Sequence, residues 1–589
     1  MQEYCLDNFV SESLLRSLEG ILGKNGHSFL PYAEWKKEAT DIMARAYQNC
    51  DFTTPCTMCG LKDTADCMAY KKAVIQSVVP SWLQDQVDEG ILALCYWDKE
   101  KSILRFFKSL ERAAKSKKDV WIANNDAIRA EASIAHIALA ERKDVEIDEE
   151  RLQRVLKWSQ IDEKFKLSNE QLDVVRQVLT KRFVVVDGGP GTGKTTILRI
   201  IYQYYLNEYK ESVFCAAPTG KAAKRLGDVT HSPAQTLHRL LGAIYDEDDE
   251  TTMFSYTKKN RHPGKVFLID EASMIDAMIF SAFLEAVDDK AIIILVGDSH
   301  QLPSVGAGRV LADLISSKVV PVCTLVENFR QIGDSLIVKN ASSILHGNKV
   351  TFSGEEGDCH IISAKASEVH DRVSEWVRQH NPMFRVDYWK DMAILCPKRT
   401  GKISTDSINA MLQTICATKN GVKVRGIKIK EGYSKSFAQN DRVIQMKNDY
   451  KLSCTDNDGT ESEGVFNGDI GYVKKVIATS EYPIEVSFDD GRTGIYPVLT
   501  CGELELAYAL TVHKAQGGEW KKVLLVLPDE YSPIFNRNLL YTAVTRAKEE
   551  LWVIGDMRTI DRMIRNQYSE TRRTALKIFL CDRADDQIK

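Results

Sequence analysis

The stretch Phe183-Val184-Val185-Val186-Asp187-Gly188-Gly189-Pro190-Gly191-Thr192-Gly193-Lys194-Thr195-Thr196 joins a short apolar run to a glycine-rich loop of the pattern G-x-x-x-x-G-K-[ST]. The apolar run has the length of a buried strand, and a helix is predicted from Thr195 to about Tyr205. Glycines let backbone N–H groups curl around phosphate oxygens, and the helix adds the positive end of its dipole. The sequence therefore predicts a nucleotide site between a strand and a helix.

The side chains of this loop have distinct expected tasks. Lys194 would neutralise the β- and γ-phosphates, and the hydroxyl of Thr195 would ligate Mg²⁺. The alternative is a glycine-rich turn that binds nothing, but strand, motif and helix stand in the register that a phosphate loop requires. The loop residues predicted to bind the nucleotide are Gly189, Pro190, Gly191, Thr192, Gly193, Lys194, Thr195 and Thr196.

The stretch KVFLIDEAS (265–273) contains a second apolar run, 266–269, which is followed directly by the carboxylates of Asp270 and Glu271. We expect Asp270 to hold Mg²⁺ and Glu271 to orient and deprotonate the attacking water. An acidic pair at a strand end can also simply cap the next helix. With a phosphate loop upstream, the second carboxylate favours hydrolysis of a nucleoside triphosphate.

Short apolar runs recur on both sides of these motifs and alternate with helical stretches. This pattern predicts an α/β fold with doubly wound parallel sheets. Residues 438–497 are instead rich in glycine, aspartate and alternating β-formers, which predicts a small antiparallel barrel inserted into the second α/β unit. The first 160 residues are expected to be mainly helical. The predicted strands are 183–186, 213–217, 266–269, 292–296, 392–396, 523–527 and 551–554.

Composition narrows the class of protein. The chain has 589 residues, of which 44% are hydrophobic and 27% charged, so wholesale disorder and collagen are excluded. Its 82 acidic and 78 basic side chains leave a net charge of −4, so any polyanion site must be a local patch. No apolar run is long enough for a membrane span, and the first residues carry acids where a signal peptide is basic. A cytoplasmic protein without membrane association is expected.

Five further segments stand in a fixed order around the two motifs. Together with the phosphate loop and the acidic pair, this series resembles the helicase motifs of superfamily 1, and its wording is most similar to the RecD-like, 5′→3′ (1B) branch. The resemblance covers about 167–556. The five segments are APTGKAAKR (217–225), GDSHQLPSVG (297–306), ENFRQ (327–331), AYALTVHKAQG (507–517) and YTAVTRA (541–547).

The resemblance implies two RecA-like P-loop domains, an SH3-like barrel and a mainly helical N-terminal domain. It also implies an ATP-dependent DNA helicase that moves 5′→3′ on single-stranded DNA in repair or recombination, alone or as the motor subunit of a nuclease complex. Residues 242–264 resemble the small hairpin used as a strand-separating pin. The implied domains are 1–160 (helical), 161–318 (first RecA-like), 319–437 with 498–575 (second RecA-like), 438–497 (SH3-like) and 576–589 (tail).

Site residues carry over from the same resemblance. Gln171 matches the glutamine that reads the adenine edge, and Gln301 matches the sensor that contacts the γ-phosphate. Arg330 and Arg546 resemble two arginine fingers, whose guanidinium forks suit a transferring phosphoryl group. Two further nucleotide contacts are implied at Gly517 and Glu519. The implied DNA contacts are Pro218, Thr219, Lys221, Thr236, His238, Thr511, His513 and Lys514.

Fourteen cysteines occur in the chain, and most, such as Cys215, Cys323 and Cys396, stand in apolar runs where a buried thiol is expected. Four others cluster within 18 residues with the spacing C-x5-C-x2-C-x7-C. Thiolates this close can converge on a structural Zn²⁺ or on an Fe–S cluster, and four unliganded thiols are the alternative. The clustered residues are Cys50, Cys56, Cys59 and Cys67.

Two alternatives to a DNA helicase stay open at this point. One is a nucleic-acid-binding subunit that uses ATP as a switch and unwinds little. The other is a superfamily 1 RNA helicase, because contacts to the backbone alone do not fix the sugar preference. Single-stranded DNA, duplex junctions and partner subunits bound through the N-terminal domain are the expected partners.

Overall fold

The computed structural model describes most of the chain from residue 167 onward and parts of the region before it. The described residues are 27–31, 83–84, 86–88, 92–98, 103–108, 112–113, 116, 118, 120–140, 144–159, 167–246, 251–327, 335–354, 356–456, 459–532, 534–567 and 572–588.

The N-terminal region contains a sheet that the sequence analysis did not predict. Four antiparallel strands, in the order β1-β4-β2-β3, stand before two helices, so the expectation of a mainly helical domain is not confirmed. Helix α1 was expected, and the side chain of Asn124 caps its first turn. The elements are β1 (Phe29–Pro31), β2 (Leu92–Asp98), β3 (Ile103–Phe106), β4 (Trp121–Asn124), α1 (Asn125–Ala138) and α2 (Glu149–Ser159).

The first α/β sheet has six parallel strands in the order β12-β5-β11-β10-β6-β7. The elements up to the acidic pair are α3 (Asn169–Leu179), β5 (Phe183–Gly188), α4 (Lys194–Tyr209), β6 (Val213–Ala217), α5 (Gly220–Thr230), β7 (Ala234–Thr236), α6 (Leu237–Leu240), β8 (Ala243–Asp246), β9 (Thr251–Phe254) and β10 (Val266–Ile269). The remaining ones are α7 (Ala277–Ala286), β11 (Ile292–Gly297), α8 (Val310–Ser317) and β12 (Val322–Leu325).

Both faces of this sheet are buried, which explains why its strands read as unbroken apolar runs. Phe183 and Val185 of β5 pack against α7 and α8, whereas Val184 and Val186 pack against α3 and α4. The four runs predicted in this region are all strands of this sheet. Strands β8 and β9 form a separate antiparallel hairpin within 242–264.

The second α/β sheet has five parallel strands in the order β13-β26-β25-β14-β24. Alternate residues of β14 and β25 again enter cores on opposite faces. Its elements are α9 (Leu336–Leu345), β13 (Cys359–Ile362), α10 (Val369–His380), β14 (Met392–Cys396), α11 (Thr405–Lys419), β24 (Ala509–Thr511), β25 (Trp520–Val526), α12 (Arg537–Val544), β26 (Ala547–Ile554) and α13 (Met557–Arg565).

An antiparallel sheet lies between β14 and β24 in the chain, as predicted, but it is not a closed barrel. Seven strands follow the order β19-β18-β22-β21-β20-β17-β23, and the edge strands β19 and β23 do not pair with each other. The strands are β15 (Arg425–Lys430), β16 (Tyr433–Phe437), β17 (Arg442–Gln445), β18 (Asp449–Thr455), β19 (Glu461–Val465), β20 (Ile470–Val476), β21 (Ile484–Phe488), β22 (Thr493–Tyr496) and β23 (Leu504–Leu506), with β15 and β16 forming their own hairpin.

The last helix, α14 (Leu576–Ile588), returns to the first sheet and joins the core that α1 and α8 share. Fully buried Glu131 of α1 marks this junction, where its Oε2 accepts hydrogen bonds from the Ala575 backbone N–H at 2.8 Å and from the Ser28 hydroxyl at 2.9 Å. Within the described part of the chain, no helix combines the length and apolar character that crossing a lipid bilayer requires.

Candidate active site

The phosphate loop lies between β5 and α4, as the sequence predicts. Gly191 and Gly193 have φ angles of 79° and 83°, a left-handed conformation that glycine adopts without strain. No side chain caps α4 at Gly193, so the N–H groups of its first turn, which includes Thr195 and Thr196, are available to an anion. The ammonium of Lys194 donates to the carbonyls of Gly188 and Gly189 at 2.6 and 2.7 Å.

Gln171 braces this loop from α3. Its Nε2 donates to the carbonyl of Thr192 at 3.0 Å, and its Oε1 accepts from the backbone N–H of Ser168 in a capping box. A Cβ at Gly193 would stand 2.1 Å from that Nε2, so the contact requires glycine. The contact of Gln171 with adenine stays a prediction, and it would require the amide to exchange these bonds for bonds to the base.

The two carboxylates stand at the carboxyl end of β10. Asp270 is 6% exposed, and its Oδ1 accepts from the backbone N–H of Glu271 at 2.8 Å. Burial, and then the neighbouring Glu271, raise the pKa of Asp270 to about 6. Glu271 has a φ of 53°, which is uncommon for a residue with a Cβ and turns its side chain out of the strand direction. A cation would stabilise both carboxylates here.

Gln301 lies just beyond the end of β11, beside Asp298. Its Nε2 donates to Oδ2 of Asp298 at 3.2 Å. The Oε1 of the same amide is buried, and among the described residues no donor lies within hydrogen-bond distance of it. A buried acceptor of this kind costs free energy unless a ligand or a water satisfies it.

The two α/β sheets meet at this point. The hydroxyl of Tyr541 donates to Asp298 at 3.0 Å, and the Leu302 backbone N–H donates to the Thr542 hydroxyl at 2.8 Å. Nε2 of Gln516 donates to the carbonyl of Leu302 at 3.0 Å. All three bonds join the loop after β11 to the second domain, which is the part of the chain that contains the second α/β sheet. The region around Gln301 is therefore in contact with both domains.

A crevice of about 400 Å³ opens between the two sheets, over the phosphate loop. Its first wall is the loop itself with Asp187 and His300, and its second wall is an apolar face of α9 with the end of α12. The lining residues are Asp187, Gly188, Gly189, Pro190, Thr192, His300, Thr324, Leu325, Val326, Ile337, Val338, Ala341, Ser342, Leu345, Tyr541, Thr545, Ala547 and Lys548.

The crevice residues, together with Lys194, Asp270 and Gln301 of the neighbouring motifs, fit a nucleoside triphosphate with a divalent cation. Lys194 supplies a positive charge, the open N-terminus of α4 supplies N–H donors, and Asp270 supplies a carboxylate oxygen of the kind that Mg²⁺ prefers. The unsatisfied Oε1 of Gln301 supplies an acceptor. The apolar wall on α9 gives a flat heterocycle a surface on which to stack.

The two candidate arginine fingers have different outcomes. Arg330 lies outside the described residues. Arg546 is 2% exposed and lies between the crevice residues Thr545 and Ala547. Its guanidinium donates to the Gly518 carbonyl and to Thr545 at 3.2 Å each, so it is packed inside its own domain in this structure.

Arg225 is the functional candidate that sequence reasoning missed, although it belongs to a quoted motif. Its guanidinium lies 3.9 Å from Glu271 and 3.4 Å from Glu519, which comes from the second domain. Glu519 also pairs with Lys548 at 3.4 Å. The available signal was helical spacing, because Arg225 stands four residues after Lys221 and therefore on the same face of α5.

The predicted DNA contacts lie along the start of α5, the start of α6 and the loop after β24. Pro218 follows β6, and two of the threonines cap helices: Thr219 accepts from Ala222 at 3.3 Å and Thr236 from Arg239 at 3.2 Å. The Lys221 ammonium lies 4.1 Å from the ring centroid of Trp520, and burial lowers its pKa to about 8. It contacts the second domain here instead of an open track.

Of the remaining candidate DNA contacts, His238 is exposed on α6, and Thr511, His513 and Lys514 lie at the end of β24 and in the loop after it. Thr511 accepts a bond from the Lys514 backbone N–H at 3.3 Å, and the Lys514 ammonium donates to Oδ1 of Asn467 at 2.7 Å. Desolvation lowers the pKa of both His238 and His513, and Arg572 adds to that effect at His513. Both shifts favour the neutral form of the imidazole.

The four clustered cysteines lie outside the described residues. Within the described ranges, no three metal-ligating side chains come together. Cys215, Cys323 and Cys396 are buried, as expected, and burial raises the pKa of the Cys215 thiol to about 11.

Three family models match the chain. They are described as an AAA domain (166–363), an ATP-dependent RecD-like DNA helicase SH3 domain (408–488) and a UvrD-like helicase C-terminal domain (506–554). The RecBCD enzyme subunit RecD of Mycolicibacterium smegmatis is 31% identical over 66% of this chain and 70% of its own length. This chain belongs to the RecD-like helicase family. Its fold is accordingly the helicase α/β fold with an SH3-like domain.

Other similar proteins overlap the chain differently. The ATP-dependent RecD2 DNA helicase of Deinococcus radiodurans is 34% identical over 70% of this chain, which spans about half (52%) of that protein. A crystal structure of Pif1 helicase from Candida albicans overlaps with a TM-score of 0.41 at 19% identity, over 72% of this chain and 99% of the other. An overlap this loose adds nothing to the family assignment.

Proposed function

We propose that this protein is an ATP-dependent DNA helicase that translocates 5′→3′ on single-stranded DNA in repair or recombination. One observation carries the proposal. A crevice between the two α/β sheets is lined by the phosphate loop on one wall and by α9 and the end of α12 on the other, and the acidic pair stands at the end of β10, in the same sheet as the strand that leads into the loop. A nucleotide bound there contacts both domains, so its hydrolysis can change their separation.

ATP would lie with its phosphates on the loop and its base against α9. Lys194 would leave the loop carbonyls to neutralise the β- and γ-phosphates, while the N–H groups of α4 hold phosphate oxygens. Thr195 and Asp270 would hold Mg²⁺, which supplies charge neutralisation at the phosphates when bound. Glu271 would orient and deprotonate the attacking water.

Gln301 of the first domain and the two arginines of the second domain would complete the site. Gln301 would offer its unsatisfied Oε1 to the water or to a protonated γ-phosphate oxygen, and its bond with Asp298 links that contact to Tyr541. Arg546 and Arg330 would stabilise charge on the transferring phosphoryl group. Arg546 would first exchange its bond with the Gly518 carbonyl. Gly517 and Glu519, on either side of Gly518, would also approach the nucleotide.

Single-stranded DNA would cross the two domains on the side of α5, α6 and the loop after β24. Hydroxyls and backbone N–H groups at helix starts suit phosphates and carry no sequence preference, which a translocating motor requires. Lys514 adds a cation near the SH3-like sheet. The hairpin β8–β9 would act as the separating pin.

We assign the domains as 1–160 (N-terminal), 161–318 (first RecA-like, with the pin at 242–264), 319–437 with 498–575 (second RecA-like), 438–497 (SH3-like barrel) and 576–589 (tail). The parallel sheets support the two RecA-like assignments. The antiparallel strands of 442–506 support the SH3-like one.

The N-terminal region would hold a structural Zn²⁺ or Fe–S cluster on Cys50, Cys56, Cys59 and Cys67, and it would dock partner subunits. The cysteine spacing supports the metal, and relatives named as subunits of the RecBCD enzyme support the partners. Metal analysis of the purified chain, beside a variant with Cys56→Ser and Cys59→Ser, tests the site. About one zinc, or several iron atoms, per chain is expected, with loss in the variant; a metal-free wild-type chain would contradict the assignment.

DNA-stimulated ATP hydrolysis tests the proposal as a whole. The wild-type chain should hydrolyse ATP faster with oligo-dT, Lys194→Ala should lose hydrolysis, and the exposed Lys290→Ala should match the wild type. A parallel reaction with RNA of the same length separates the two nucleic acids. Absence of DNA stimulation, or stimulation by RNA alone, would sink the DNA helicase proposal.

A further inference from the structure

Arg225 forms a charged link between the two α/β domains. It lies on α5 of the first domain, whose start is capped by the hydroxyl of Thr219. One terminal nitrogen, Nη1, stands 3.9 Å from Oε1 of Glu271, and the other, Nη2, stands 3.4 Å from Oε1 of Glu519. The guanidinium thus spans from the acidic pair to the second domain.

Glu519 is held tightly on its side of this link. Its side chain is 9% exposed, and its second oxygen pairs with Lys548, a residue of the crevice wall. The preceding Gly517 has a φ of 71°, and a Cβ there would lie 3.2 Å from the Cβ of Ala222 on α5. The loop therefore packs directly on the helix that carries Arg225, so movement between the domains displaces Glu519 from it.

In the part of the chain that the structure describes, Glu271 forms fewer ion pairs than Glu519 does. Its backbone is in the left-handed region, and its side chain is 12% exposed. The contact with Arg225 is the ion pair that the structure gives this carboxylate among the described residues. Although burial works in the opposite direction, Glu519 and Glu271 hold the pKa of Arg225 above its usual value, so the guanidinium stays charged.

We propose that Arg225 is a positioning residue for Glu271, and that Glu519 holds Arg225 in place when the two domains are together. This inference rests on the proposed function, because it assigns Glu271 to water activation. Contact between the domains brings Glu519 to Nη2 and fixes the guanidinium, whose Nη1 then orients the Glu271 carboxylate. Separation of the domains removes Glu519 and releases that carboxylate. Hydrolysis is thereby confined to the state in which the domains are together.

An ordinary stabilising ion pair would behave differently. Loss of an ion pair that only stabilises the fold lowers Tm slightly and leaves kcat unaffected. Loss of a group that orients the water-activating carboxylate lowers kcat while nucleotide affinity holds, because Arg225 is not among the residues that line the crevice. The two roles are separable by measuring both quantities.

The test compares Arg225→Ala, Arg225→Lys, Glu519→Gln and the Arg225→Ala/Glu519→Gln double variant in the full chain. The exposed Arg385→Ala, whose partner Asp387 is on the surface, is the matched control. Each is measured for DNA-stimulated kcat, for the Kd of a fluorescent ATP analogue and for Tm. Arg225→Lys keeps the charge but loses the fork that reaches two carboxylates, so it reports on geometry if Arg225→Ala is unstable.

We expect Arg225→Ala to lower kcat by about 10- to 100-fold with Kd within about 3-fold, and Arg225→Lys to recover part of that loss. Glu519→Gln should lower kcat as well, and the double variant should be no slower than Arg225→Ala, since both act through one link. Unchanged kcat in Arg225→Ala, a parallel loss of nucleotide binding, or losses that multiply in the double variant would overturn the inference. A wild-type chain without DNA-stimulated hydrolysis would instead refute the proposed function.

Discussion

The hydroxyl of Tyr541 on the second domain donates a hydrogen bond to Oδ2 of Asp298 on the first, 3.0 Å away. The same oxygen accepts from Nε2 of Gln301 at 3.2 Å, so one buried carboxylate joins the candidate γ-phosphate sensor to the other domain. Burial, and then the charge of Asp298, hold the pKa of Tyr541 well above its ordinary value. The phenol therefore remains a donor throughout the working pH range.

Tyr541→Phe removes this bond without opening a cavity. A hydrogen bond to a charged group contributes about 1.5–3 kcal/mol, so we expect a roughly 10-fold loss of DNA-stimulated ATP hydrolysis and a modest fall in Tm. Tyr531→Phe is the control, because Tyr531 is 86% exposed. If Tyr541→Phe hydrolyses ATP like the control, the bond does not couple the sensor to the second domain.

Glu271→Gln keeps the size of the side chain and removes the base. Hydrolysis should fall by about 100-fold or more, because general-base catalysis contributes 10²–10⁴-fold. Nucleotide affinity should stay close to the wild-type value, because the proposed partner of Glu271 is the attacking water and Glu271 does not line the crevice. Kinetics with and without oligo-dT, together with nucleotide titration, measure both. A variant that still turns over would assign water activation to another group.

Glu131 predicts a pH dependence of stability. Burial, and then the charge of Asp313, raise the pKa of Glu131 from 4.5 to about 8. Its contribution is therefore full below about pH 4.5 and is lost as the pH rises through about 8. Glu131→Gln can keep the bonds from Ala575 and Ser28 without a titratable proton. The Tm of this variant, relative to the wild type, should be higher at pH 8 than at pH 5.5. An equal difference at both pH values would refute the assignment.

Lys514→Ala tests the DNA track. Each phosphate neutralised on a single strand contributes about −0.7 to the slope of log K against log salt, so losing this cation should weaken binding and make the slope shallower by about that amount. The weakening should be the same for different sequences. Lys290→Ala, at an exposed turn before β11, is the control. Fluorescence anisotropy at several salt concentrations measures the slope, and an unchanged slope would remove Lys514 from the track.

The features that could be predicted from the sequence are those that depend on a single strand or a single loop. The apolar runs ending at Asp187 and Asp270 predicted strands because a sheet buried on both faces needs unbroken apolar segments. The phosphate loop followed from residue type, since only glycine adopts the φ angles of Gly191 and Gly193 without strain.

Other features depend on contacts between distant segments, which no local pattern encodes. The N-terminal sheet pairs Phe29 with Ala123, 94 positions apart, and β1, β3 and β4 have only three or four residues each, too few to show a clear alternation. The meeting of Arg225 with Glu519 depends on how the domains pack. The orientation of Arg546 toward the Gly518 carbonyl is likewise a tertiary choice, because the motif alone fits either a phosphate or a backbone partner.

Strand displacement on tailed duplexes tests the helicase account most directly. With ATP, the wild-type chain should separate a duplex that carries a 5′ single-stranded tail and should leave 3′-tailed and blunt duplexes paired. Lys194→Ala should separate none of them. Release of the 3′-tailed strand alone, or DNA-stimulated ATP hydrolysis with every duplex left intact, would contradict the account.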